Sequence, residues 1–172
     1  KVGLIASSDG HNSLTTVQED NFFGKFPETN PSSDRMNGLM AGRLWEGKYN
    51  VASGYAAVWA EENTREAIFD AMKRREVYAT TGSRITLRFF GGWEFDQQLH
   101  LEPHYVAKAY KEGVPMGGDL LPGQKNAKPK FLVMAAKDSV GANLDRVQII
   151  KGWLDRSGNL KEKIYDVAWS GD

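Results

Sequence analysis

The stretch "NTREAIFDAMKRREVYATTGSRITLRFF", residues 63–90, changes period half-way along, and that change decides the fold class. Over 63–75 the apolar side chains recur at helical spacing: Ile68, Ala71 and Met72 share one face, with Phe69 beside them. Asn63 reads as the N-cap, and Glu66 three residues on completes a capping-box pair. Lys73, Arg74 and Arg75 crowd the last turn, where the helix dipole favours cations. From Val77 the period falls to two. "VYATTG" reads as a short strand ending in a turn, and "RITLRFF" alternates Ile85, Leu87 and Phe89 against Thr86, Arg88 and Phe90. A helix that runs directly into strands of this kind predicts an α+β protein.

Downstream the β pattern continues. "EPHYVAKAYKEG", from Glu102, reads as a short helix with Pro103 at its first position and Gly113 as its stop. "KFLVMAA" (130–136) reads as a buried strand. "DRVQIIKGWL" and "LKEKIYDVAW" flank the turn "DRSGN" and predict a hairpin. The second half is therefore expected to form an antiparallel, sandwich-like β layer. Upstream, Gly24 to about Gly54 is rich in Gly, Asn, Pro, Ser and Asp and reads as one long loop; 13–21 holds at most a helical turn. Residues 2–6 read as an apolar strand buried on both sides. The division expected is 1–76, the end of an α/β domain, and 77–172, an antiparallel β domain. A chain that begins at Lys1, almost inside that apolar run, suggests an internal piece of a longer protein, with a processed mature chain as the alternative.

Composition excludes some functions. With 41% hydrophobic and 26% charged residues, the 172-residue chain has ordinary globular composition. Its 22 basic and 22 acidic residues balance to a formal net charge of +0, so no electrostatic footprint for nucleic acid or an anionic membrane is present. With 0 cysteines there is no disulfide framework, thiolate zinc site or cysteine nucleophile. No apolar run approaches the roughly 20 residues of a membrane span. No signal segment is visible either, though the chain lacks the start Met beside which one would sit, and a periplasmic or a cytoplasmic location is compatible.

The one stretch that suggests chemistry is "VGLIASSDGHNS", residues 2–13. If Asp9 and His11 are extended at a strand end, they share a face and point at one opening. A carboxylate and an imidazole are ordinary ligands for zinc, manganese or iron. Gly10 leaves room for a sharp turn, or for a metal or substrate. Against this, Asp-Gly is a common turn pair, and the alternative reading has Asp9 only capping a turn. On spacing alone the turn reading leads.

A resemblance raises the metal reading. "ASSDGHNS" looks like the last metal-binding motif of the PHP (polymerase and histidinol phosphatase) superfamily, a Ser-Asp-x-His that follows a barrel strand. Residues 63–90 resemble the helix–strand segment after that motif in the CehA/McbA-type branch. "QEDNFFGK" (18–25), Trp59 to Glu76 and "VPMGGDL" (114–120) are similar to stretches of a large bacterial family of unknown function related to that branch. Gly10 departs from the pattern, where Thr or Ala is usual. The resemblance implies the end of a PHP-type β/α barrel with a multi-metal centre, Asp9 and His11 being ligands. It also implies a divalent metal (zinc, manganese or iron) and a small-molecule substrate with a phosphoester, ester or amide bond. The upstream His-x-His, acidic and His motifs of that superfamily are not in this sequence, whose 3 histidines are His11, His100 and His104. Weak or no metal binding is therefore expected of this chain alone.

Other candidates carry less. Ser8 and Asn12 flank the ligand pair and suit substrate or supporting contacts. Glu19 and Asp20 are candidates for the rim of the site. Glu61 and Glu62 favour the neighbouring helix N-terminus. His100 and His104 straddle a helix start because Pro103 lies between them. "GVPMGGDL" lacks the Lys of a phosphate loop and reads as a β-turn or bulge. Trp59, Trp93, Trp153 and Trp169 could form a sugar platform, though packing is their default role. The function expected is a fragment of a metal-dependent hydrolase. The alternative is a non-catalytic β-sandwich module for binding or docking.

Overall fold

The structure is a computed structural model and describes residues 2–11, 13–14, 24–26, 31–33, 39–40, 45–46 and 54–171. Within these the chain is α+β. Two short strands, β1 (Leu39–Met40) and β2 (Trp45–Glu46), pair antiparallel inside the stretch expected to be all loop. Then β3 (Tyr55–Val58), helix α1 (Arg65–Arg74) and β4 (Val77–Thr80) follow, with β3 and β4 antiparallel. A three-stranded sheet has the order β6–β5–β7, from β5 (Thr86–Gly92), β6 (Gly113–Pro115) and β7 (Lys130–Ala136). Helix α2 (Tyr105–Glu112) lies between β5 and β6 in sequence, after a 3-10 turn at Leu99–Leu101. The hairpin β8 (Arg146–Leu154) and β9 (Leu160–Trp169) ends the chain, with a register shift at Val147/Gln148. No closed barrel is found among the described residues; the sheets are separate and antiparallel.

α1 forms where its period predicts, but its N-cap is Thr64 rather than Asn63. Thr64 Oγ1 accepts from Ala67 N–H at 3.3 Å and Thr64 has extended φ/ψ, as an N-cap must. Glu62 accepts the Thr64 hydroxyl at 3.2 Å, so the acidic residues do sit at the helix N-terminus. At the other end Arg75 is left-handed, with φ 63° and ψ 24°. Its N–H bonds Met72 O, and Glu76 N–H bonds Ala71 O at 3.0 Å, which satisfies the last carbonyls of the helix. α1 buries only Ala71, and Phe69 and Met72 are exposed.

The core lies between β5 and α2. Phe90, Phe95, Leu99 and Ala109 are fully buried, with Tyr105, Val106 and Leu132 packed against them. A Cβ at Gly92 or Gly113 would overlap the Phe95 ring, so both glycines make room for it. This explains why Gly113 ends α2 and starts β6 without a left-handed turn. Phe90 faces this core, whereas Leu87 and Phe89 share the opposite groove with Val133, Val147 and Ile149. β5 is thus apolar on both faces, which simple alternation does not convey.

Residues 2–6 do not form the predicted strand. No strand is assigned over 2–10, and Val2 and Leu4 are 85% and 75% exposed. An apolar strand needs a ladder on at least one edge, and no described strand pairs with this segment. Val2, Gly3 and Leu4 instead run along the groove beside Val77 and Phe89. A Cβ at Gly3 would press on the Val77 side chain, so the backbone passes close there.

Candidate functional site

Asp9 has φ 55°, in the left-handed region that Asp tolerates better than most residues. The extended Asp-x-His geometry is therefore replaced by a turn. His11 N–H donates to Lys25 O at 2.6 Å, and its ring stacks on Phe26 at 4.6 Å between centroids. Lys25 Nζ lies 3.7 Å from Asp9 Oδ2. The structure thus brings Asp9 and His11 together with Lys25 and Phe26, and the Asp9 carboxylate stays accessible, with a side-chain exposure of 65%. Ser8 is half-buried beside them. Asn12, Glu19 and Asp20 lie outside the described residues. Among the described residues no group of three or more His, Cys, Asp or Glu is placed to hold a metal ion. The donor types suit a divalent metal, but two donors fall short of the three protein ligands usual in a catalytic zinc site.

A second constellation surrounds Glu76, just after the left-handed turn of Arg75. Its side chain is 6% exposed. One carboxylate oxygen accepts a short hydrogen bond from the Tyr110 hydroxyl, and the other lies 3.5 Å from Arg74 Nη2. Arg88 Nη1 donates to the Tyr110 oxygen at 3.4 Å. The Arg88 guanidinium stacks 3.3 Å from the Trp59 ring centroid. Trp59 is fixed by two further bonds, from its indole N–H to Leu87 O at 2.9 Å and from its backbone N–H to Glu76 O at 3.0 Å. Partial burial, then the hydrogen bond to the Glu76 carboxylate and its charge, raise the Tyr110 hydroxyl above its ordinary pKa; Arg88 opposes them.

"VPMGGDL" forms the facing wall. Gly118 N–H bonds Pro115 O at 3.0 Å, and Gly117 sits at φ 78°, so the segment is a β-turn with glycine where φ must be positive. Gly117 O accepts from Arg75 Nε at 3.2 Å and from Nη2 at 2.9 Å. A Cβ on Gly117 would collide with the backbone of Arg75. Between these walls lies an open cleft of about 860 Å³. Neither Glu76 nor Tyr110 is a candidate in the sequence reading. The available signal is a carboxylate wedged between a helix end and a strand, where water cannot easily reach it.

The remaining candidates are placed plainly. His100 lies in the 3-10 turn and His104 is the N-cap of α2, both exposed; Pro103 precedes that cap rather than taking the first helical position. Trp93 donates to Leu121 O at 3.0 Å, while Trp153 and Trp169 carry Lys151 and Arg146 over their rings. The tryptophans do not meet in one platform.

Fold and site together define an α+β protein with a polar cleft where its first helix meets the 115–118 turn. The chain belongs to the protein family of unknown function DUF3604, whose model matches residues 1–172. No curated protein and no solved structure matches it. No described helix is long and apolar enough to cross a membrane.

Proposed function

We propose that this chain is part of a metal-dependent hydrolase that cleaves a phosphoester, ester or amide bond in a small-molecule substrate. Residues 1–76 would then be the end of a PHP-type β/α barrel, and 77–172 a β domain beside its entrance. The observation that carries the reading is the Ser8–Asp9–Gly10–His11 turn. It follows the apolar run 2–6 and presents an accessible Asp9 carboxylate, with His11 joined to it through Lys25. Its resemblance to the last PHP metal motif supports the same assignment. Asp9 and His11 would hold a divalent ion (zinc, manganese or iron), the remaining donors coming from outside the described residues. Such a metal, when bound, lowers the pKa of its water to about 7 and so supplies hydroxide at neutral pH. Lys25 competes for Asp9, so a metal must displace that ammonium from the carboxylate.

The test uses the product of the intact gene, loaded with zinc or manganese and assayed on p-nitrophenyl esters and phosphates. His11→Ala and Asp9→Asn are expected to lower both metal content and turnover by about tenfold or more. Unchanged metal content and turnover in both variants would refute the ligand assignment. A second reading, a non-catalytic docking module, is favoured by the β8–β9 hairpin, where Ile150, Ile164 and Trp169 are all exposed. Under that reading the intact protein shows no metal-dependent turnover at all.

A further inference from the structure

We infer that the cleft between the C-terminal end of α1 and the 115–119 turn binds a small amphipathic monocarboxylate through Arg88. Arg88 is half-buried, and Nη1 donating to Tyr110 is the only hydrogen bond of its side chain to a described protein atom. No carboxylate lies within ion-pair distance of it among the described residues. The guanidinium is planar, and with its carbon held 3.3 Å over the Trp59 ring its remaining N–H groups form a fixed fork of the kind that pairs with a carboxylate.

The other polar groups hold this fork in place. Tyr110 is tied to Glu76, and Glu76 to Arg74, so the inner carboxylate is already satisfied and does not draw Arg88 away. The Arg75 guanidinium is committed to Gly117 O. Among the described residues the walls carry four cationic side chains and three carboxylates, an excess of one positive charge. That balance suits a monoanion better than a phosphate dianion. Trp59, Pro115 and Met116 also line the cleft and offer apolar surface to the body of the ligand. Its volume of about 860 Å³ falls in the range of small-molecule sites. Neither Asp9 nor His11 lines the cleft, so the inference is independent of the hydrolase reading.

Titration calorimetry of the full chain with phenylacetate tests it, with phenylacetamide as the uncharged isostere and inorganic phosphate as the dianion. Phenylacetate is expected to bind saturably at one site, with the amide and phosphate each weaker by about tenfold or more. Arg88→Gln should weaken phenylacetate binding by about the same factor, and Arg88→Lys, which keeps charge but not the fork, should not fully restore it. If Arg88→Gln does not fold, Lys73→Gln on the exposed rim is the second variant, with a loss of about two- to fivefold from one screened charge. Equal binding of acid and amide, preference for phosphate, no binding of phenylacetate, or full affinity in a folded Arg88→Gln protein would each overturn the assignment.

Discussion

Arg75 is the residue on which the cleft turns. A non-glycine residue held left-handed costs about 1–2 kcal/mol. Its two bonds to Gly117 O, from a charged donor, return about 1.5–3 kcal/mol. Arg75→Gly removes both the strain and the bonds and is expected to lie no more than about 2 kcal/mol below the native protein. Arg75→Ala keeps the strain and loses the bonds, so it should fall about 1.5–3 kcal/mol below native in chemical denaturation. The order native, Gly, Ala checks the argument; Ala as stable as Gly would contradict it. Tyr110 gives a pH test. Its folded-state pKa is raised above 10.0, so its stabilising bond to Glu76 is complete at neutral pH and is lost as pH rises through and beyond 10. Tyr110→Phe should cost about 1–3 kcal/mol at pH 7, because it leaves the buried Glu76 short of a donor. The gap in Tm between the two proteins should narrow above pH 10. A gap that widens would reverse the sign of the coupling.

At the scale of elements, the hairpin is the clearest unit. Asp155 accepts from the backbone N–H of Ser157 and Asn159, both at 2.9 Å, and from Asn159 Nδ2 at 3.2 Å. Those bonds to Asn159 and Ser157 hold its carboxyl below the usual 3.8. The contribution is present above that value and is lost as pH falls through the lower folded pKa. Asp155→Ala should therefore speed amide exchange along β8 and β9 and leave β5–β7 unchanged; uniform acceleration would show that the sheets are not separate units. This turn was legible because "DRSGN" names its own chemistry, with Gly158 at φ 82°. β4, α1 and the two hairpin strands were legible from local pattern and turn residues; β7 was legible as a strand from its apolar run, but none of its residues is buried as that run predicts. Residues 2–6 were not, since an apolar run shows that burial is favourable but not what will cover it. The Asp9 turn was half legible: Asp-Gly announces a turn, while the Lys25 and Phe26 that close on it lie too far along the chain for spacing to reveal. The Glu76–Tyr110–Arg88 network was invisible for the same reason, as its members come from the α1–β4 link, α2 and β5.

At the largest scale the decisive quantity is how little is buried: among the described residues the buried apolar side chains are Ala71, Val77, Phe90, Phe95, Leu99 and Ala109. Stability then rests heavily on the few side chains around Phe95. Phe95→Ala should cost about 3–5 kcal/mol, a large share of the 5–15 kcal/mol typical of a domain, and abolish a cooperative melt. Phe69→Ala, on the exposed face of α1, should shift stability by no more than about 0.5 kcal/mol. Equal effects would mean that the core lies elsewhere. The clasp between Arg75 and Gly117 also has a consequence in time. It joins residues 42 positions apart, so the left-handed end of α1 gains its tertiary support only after that loop has closed. The helix end is thus a late event in folding: changes at Gly117 should mainly hasten unfolding and leave the folding rate nearly untouched.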